Sequence, residues 1–171
     1  MGTNKEKHHV TYGRMFQSLH DYVKAQECHQ NVLVIRKDSG DKKGVAASYE
    51  GLGTMFQSLD EYVKAEEYLY KALAIRKESG NKQGEASCYV NLGRVFQSLH
   101  DYVKAQECHQ NALVIRNDSG DKEGEAACYE TLGTMFHSRG EYVKAKKSGE
   151  YVKAEKYLQK ALVIQKEIGD K

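Results

Sequence analysis

Four short rows of side chains are the part of this 171-residue sequence best suited to chemistry: Val10, Arg14 and Gln17; Glu50, Thr54 and Gln57; Val90, Arg94 and Gln97; Glu130, Thr134 and His137. Within each row the spacing is i, i+4, i+7, which lines three side chains along one face of a helix. Asn91 stands beside the third row. Arg14 and Arg94 are two rows apart, and a guanidinium grips a carboxylate through two parallel hydrogen bonds, so the pair suits an extended acidic peptide. Glu50 and Glu130 are placed to pair with basic residues of the same ligand, or with those arginines. The chemistry is recognition of a protein segment, with no bond made or broken.

His29 and His109 follow Cys28 and Cys108, a juxtaposition that invites a metal. Adjacent residues on a helix point about 100° apart, and no repeat supplies four convergent ligands. A half-buried neutral imidazole is expected instead, at a position where Leu69 and Leu158 stand in the alternate copies. Protonation would weaken packing there. No nucleophile and base, phosphate loop or paired carboxylates occur at a spacing that chemistry requires. An enzyme needs a unique cluster, and this chain offers every residue in several equivalent copies. The expectation is a non-enzyme without cofactor or metal.

The elements that must position the rows follow from internal repetition with a period of 40: Gly13, Gly53, Gly93 and Gly133 align, as do Phe16, Phe56, Phe96 and Phe136. Tyr89, Leu92, Gly93 and Phe96 recur at i, i+3, i+4 and i+7 and mark the apolar stripe of a first helix, A. Tyr102, Ala105, Ala112 and Ile115 mark a second helix, B, with Ser98 to Asp101 as the connection. One helical hairpin cannot bury both stripes, whereas stacked hairpins can.

Tyr89, Leu92, Gly93, Phe96, Ala105 and Ala112 sit at the spacing of the tetratricopeptide repeat, with Tyr for the usual Trp and Phe for the usual Tyr. The sequence resembles that family along nearly its whole length. The additional residues of each period, such as Gly80 to Glu85, lengthen the repeat from about 34 residues to 40. That longer form is similar to the arrays of the Pins/LGN spindle-orientation adaptors and, less closely, of kinesin light chains. The resemblance implies a concave groove lined by the A helices and therefore by the four rows, a protein partner and no catalytic residues. Related arrays often carry Asn where Thr54, Arg94 and Thr134 stand, so their groove chemistry does not transfer to those positions.

Composition narrows the classes further. The net charge is +2 and the lysines are spread by the repeat, which argues against nucleic acid. No apolar run approaches the roughly 20 residues of a membrane helix, and the N-terminus lacks a signal-peptide core. The four cysteines fall in two pairs of repeat-equivalent positions, Cys28 with Cys108 and Cys88 with Cys128, 80 and 40 residues apart. Stacked helices hold such positions roughly 10 Å apart, too far for a disulfide. Reduced thiols in the cytoplasm are expected.

In chain order, repeat one (1–40) is degraded, with His9 and Tyr12 where later copies have Tyr and Leu. A terminal cap and a piece of a longer array both explain it. Gly40, Gly80 and Gly120 suit the left-handed position after a helix, and Asp41, Asn81 and Asp121 suit the cap of the next. A second period of 80 appears in residues 14–41 and 94–121, which differ at only three positions. In repeat four (121–171) nine residues are duplicated, with Glu141 to Ala145 recurring as Glu150 to Ala154. Nine residues inside one helix would rotate its stripe by roughly 180°. Residues 141–149 are therefore expected to bulge as a loop or short irregular helix. The last helix is expected to expose apolar surface, since no further helix covers it.

The expected architecture is all-α: a right-handed α-solenoid of four tetratricopeptide-like hairpins (1–40, 41–80, 81–120 and 121–171) forming one domain. The expected function is a protein-interaction scaffold or adaptor that binds an extended peptide or helix in the concave groove, with an acidic partner as the candidate. The alternative is a structural segment of a longer array that self-associates through uncapped ends and has no dedicated ligand.

Overall fold

Proline is absent, so glycine and turn-forming side chains alone decide where the helices stop. The computed structural model describes residues 22–142 and 148–169, with side chains for 23–137 and 152–169. Among them are seven α-helices and no strand: α1 (Tyr22–Asp38), α2 (Lys42–Ser58), α3 (Tyr62–Glu78), α4 (Lys82–Ser98), α5 (Tyr102–Asp118), α6 (Lys122–Tyr142) and α7 (Ser148–Gly169). The first five are 17 residues each, an A or B helix per half-repeat. The chain divides into two compact units, residues 1–81 and 82–171.

Each B helix ends as its sequence demands. Gly40, Gly80 and Gly120 adopt φ of +70°, +65° and +71°, the region that glycine enters at little cost. The Gly40 N–H donates to the Lys37 carbonyl and the Asp41 N–H to that of Arg36, at 3.1 and 3.0 Å, closing the helix end. Asp41 Oδ1 then accepts from the Gly44 N–H at 2.9 Å, and Asp121 Oδ1 does the same for Gly124 at 2.9 Å. The turns from A to B work differently. Asp60 and His100 hold φ of 58° and 59° without being glycine, and each side chain is tied to a tyrosine hydroxyl two residues on, Tyr62 and Tyr102.

In the first unit, α2 packs on α1 and α3. Gly53 lets α3 approach so closely that an added Cβ would lie 2.6 Å from Leu69 Cγ. Phe56 is buried and stacks on Tyr68, with centroids 5.4 Å apart and planes at 8°. Burying such a ring contributes roughly 1.5–3 kcal/mol. Arg36 ties α1 to α2, donating from Nη1 to the Gly44 carbonyl at 2.9 Å and to Ser48 Oγ at 3.0 Å.

In the second unit, α6 and α7 repeat that scheme. Gly133 faces Leu158, and Phe136 stacks on Tyr157 at 5.6 Å and 4°. Between α4 and α5 the partners change: Gly93 faces His109 and the tyrosine position is Cys108, both buried. The 80-residue period is thus a packing alternation, Tyr and Leu in copies two and four, Cys and His in copy three. The sequence led us to expect half-buried histidines. Instead His109 is fully buried and His29 is 9% exposed against Gly51, because glycine on the facing helix leaves a slot as deep for an imidazole as for leucine.

The ends of the segment 141–149, expected to bulge, are helical. Helix α6 continues through Tyr142 and α7 opens at Ser148, leaving 143–147 outside the described residues. Beyond the duplication Ala154, Ala161 and Ile164 are buried, so α7 holds the register of α3.

Candidate functional site

The described A helices carry three of the four rows. The first, with Val10, Arg14 and Gln17, lies outside the described residues. In the first unit the row on α2 is partly tied down. Glu50 is 21% exposed and lies 3.6 Å from Arg76 Nη2 of α3, itself 10% exposed. Burial pushes the Glu50 carboxyl above its ordinary value, and Arg76 partly offsets this. The sequence reading offered ligand cations or Arg14 and Arg94 as partners for Glu50. The actual partner comes from the B helix of the same repeat, whose arginine turns inward. Thr54 donates its hydroxyl to the Gly51 carbonyl at 3.0 Å, and Gln57 is half-buried.

In the second unit the rows on α4 and α6 come together. Gln97 and Thr134 line one open concavity of about 400 Å³ with Ser98, Tyr102 and Met135. Thr134 is exposed and donates its hydroxyl to the Thr131 carbonyl at 3.0 Å. Arg94 is exposed one turn before Gln97, and no carboxylate among the described residues pairs with it. Asn91 is half-buried beside it, while Glu130 and His137 are exposed on α6. Val90, expected in the row, packs instead against the buried cluster of Ala86, Ala112 and Cys128.

A second concavity of about 440 Å³ lies between α6 and α7, lined by His137, Ala154, Glu155, Leu158, Gln159 and Leu162. Leu158 is 38% exposed and Leu162 52% exposed, which is the apolar surface expected on the last helix. Sequence reasoning placed neither leucine in a site, nor Tyr102, which it assigned to the core stripe. Tyr102 is the first residue of α5, at the edge of its stripe.

No group of three or more His, Cys, Asp or Glu side chains among the described residues is arranged to hold a metal ion. All four cysteines are free thiols. No described helix is long and apolar enough to cross a membrane.

The family model for the tetratricopeptide repeat matches residues 6–78 and 84–150. No curated protein matches the sequence. Among solved structures, BtubC (BKLC) from P. vanneervenii is 24% identical with a TM-score of 0.79, covering 96% of this chain and 64% of its own. Aspartyl phosphate phosphatase F from Bacillus subtilis is 14% identical with a TM-score of 0.81, covering 99% of this chain and 43% of its own. A kinesin light chain described as putative, from Podosopora anserina, with nearly identical TPR-like repeats, is 14% identical with a TM-score of 0.60, covering 99% and 92%. The chain thus spans less than two thirds of the first two. At these identities the likeness shows the fold, an all-α array of helical hairpins.

Proposed function

Because the chain belongs to the tetratricopeptide repeat family, a fold used generally for protein interaction and not for catalysis, we propose that it is a scaffold module binding an extended segment of a partner protein along its A-helix rows. The observation that carries this reading is the concavity shared by Gln97 and Thr134, with the exposed guanidinium of Arg94 one turn away. A rigid, preformed surface costs a bound segment less ordering than a flexible one, which is how short segments are held. The amide of Gln97 suits peptide groups, and Arg94 suits a carboxylate. Four free thiols favour a reducing compartment, the cytoplasm.

The test is selection of twelve-residue segments from a random display library, followed by titration against Arg94→Ala and Thr134→Arg variants. Selected segments should lose about tenfold or more in affinity, 1.4 kcal/mol, to each variant without loss of helicity. Segments that bind both variants as well as the parent chain would sink the reading. The exposed leucines of α7 favour a second reading, end-to-end association of copies, which light scattering over a concentration series detects.

A further inference from the structure

We infer that the α4–α5 hairpin is an acid-operated latch on the proposed binding surface: protonation of His109 loosens α5 from α4, and a segment held along α4 keeps the two helices closed. The inference rests on the proposed function and adds its regulation. His109 is fully buried on α5 with its ring laid on Gly93 of α4, and Arg94, the next residue, is exposed on the row that would hold the partner. The slot and the row are two sides of one stretch of helix. Neither ring nitrogen has a hydrogen-bond partner among the described residues, so nothing in the closed slot receives the second N–H of an imidazolium. In copies two and four the same slot holds Leu69 and Leu158 against Gly53 and Gly133, side chains that take no proton.

The surroundings of the ring decide the sign. From α4 the charge beside it is Arg94, a cation. From α6, packed on α5, the titratable side chain in the shared core is Cys128, a thiol that burial keeps protonated, while Glu130 and His137 are exposed. On α5 itself Glu107 is exposed and Cys108 is buried. No carboxylate among the described residues holds a proton on the ring, and burial, more than Arg94, lowers its pKa from 6.5 to about 4. A partner carboxylate on Arg94 offsets only the lesser of these two causes, so the closed slot still refuses the proton. An open slot accepts it at about 6.5. From pH 7.5 to 5.0 the open population should therefore grow about 30-fold.

Cys108, buried beside His109, reports the opening. The full chain is treated with a dipyridyl disulfide at pH 7.5 and 5.0, the modified cysteines are located by peptide mass spectrometry, and each rate is divided by that of His109→Leu to cancel the intrinsic chemistry of the thiol. The ratio for Cys108 should rise about 30-fold on acidification, with helicity unchanged by circular dichroism. A cysteine-free twelve-residue segment selected by display at pH 7.5, present at ten times its Kd, should slow the labelling of Cys108 about tenfold. An equal acid response in the parent and in His109→Leu overturns the imidazole as the latch; should the leucine variant not fold, His109→Gln, which also takes no proton, is the reference. Loss of helicity, with Cys128 labelled as fast as Cys108, overturns the latch in favour of unfolding of the whole unit. A segment that is weakened by Arg94→Ala yet leaves Cys108 labelling unchanged overturns the coupling while the groove reading stands. If no segment is selected, the groove reading falls and the coupling with it.

Discussion

The imidazole of His109 lies directly on Gly93, where a Cβ would fall 2.5 Å from Cε1, 2.6 Å from Nε2 and 2.8 Å from Nδ1. Gly93→Ala must therefore displace the ring in a fully buried slot. Overpacking of this kind costs about 1–3 kcal/mol, against a gain of about 1 kcal/mol from helix propensity. At Gly51 the nearest ring atom of His29 is 3.3 Å from the same built position. Gly51→Ala is expected to be neutral or stabilising, and Gly93→Ala to lower the urea midpoint. The reverse order would mean that the imidazole slot is not rigid.

His109 also makes stability depend on pH. Burial, and secondarily the nearby Arg94, lower its pKa from 6.5 to about 4, and neither ring nitrogen has a hydrogen-bond partner among the described residues. Below pH 6.5 the unfolded chain takes up a proton that the folded chain refuses until about pH 4. The contribution is fully present above 6.5 and is lost as pH falls towards 4. At about 1.4 kcal/mol for each pH unit the loss approaches roughly 3 kcal/mol. Denaturant titrations at pH 7.5 and 4.5 on the parent and on His109→Leu measure it. The leucine variant should show the smaller difference, and equal differences would place the acid sensitivity elsewhere.

Much of the fold is legible in the sequence because its signals are local. The spacing of Leu92, Gly93 and Phe96 marks a buried stripe, and all three are buried. Gly40, Gly80 and Gly120 mark left-handed helix ends, and the backbone takes that form at each. Less legible is which side chain from another helix meets a given face. The spacing that puts Glu50 in a row says nothing of Arg76, 26 residues on, because that pairing depends on how α2 and α3 cross. Val90 likewise belongs to a row by period and to the Ala86, Ala112 and Cys128 cluster by crossing geometry. The run of α6 through Tyr142 was hidden because a duplicated segment offers two equally good registers.

The helix ends predict a contrast between two substitutions at one glycine. At Gly120 no atom obstructs an added Cβ, so the cost of a side chain comes from the positive φ alone. Gly120→Ala should cost about 1–2 kcal/mol. Gly120→Asn should cost clearly less, since Asn tolerates this region. Thermal melts of the two variants decide it. Equal losses would show that something other than backbone conformation is at stake.

Arg36 joins α1 to α2 by two hydrogen bonds from one nitrogen, to the Gly44 carbonyl and to Ser48 Oγ. Hydrogen bonds from a charged donor contribute about 1.5–3 kcal/mol when partly buried, so Arg36→Ala should destabilise by about that much. Ser48→Ala removes one acceptor and should cost less, about 1 kcal/mol, and its effect should largely vanish in the Arg36→Ala background, because the two residues share the interaction. Arg36→Lys keeps the charge but not the planar fork, and should fall between wild type and alanine. Full additivity of the two alanine substitutions would show that Arg36 stabilises by packing its aliphatic stem, with the hydrogen bond to Ser48 contributing nothing. The equivalent residue in the last copy is the exposed Gln165, so Gln165→Ala should be close to neutral and serves as the internal reference for the same helix position.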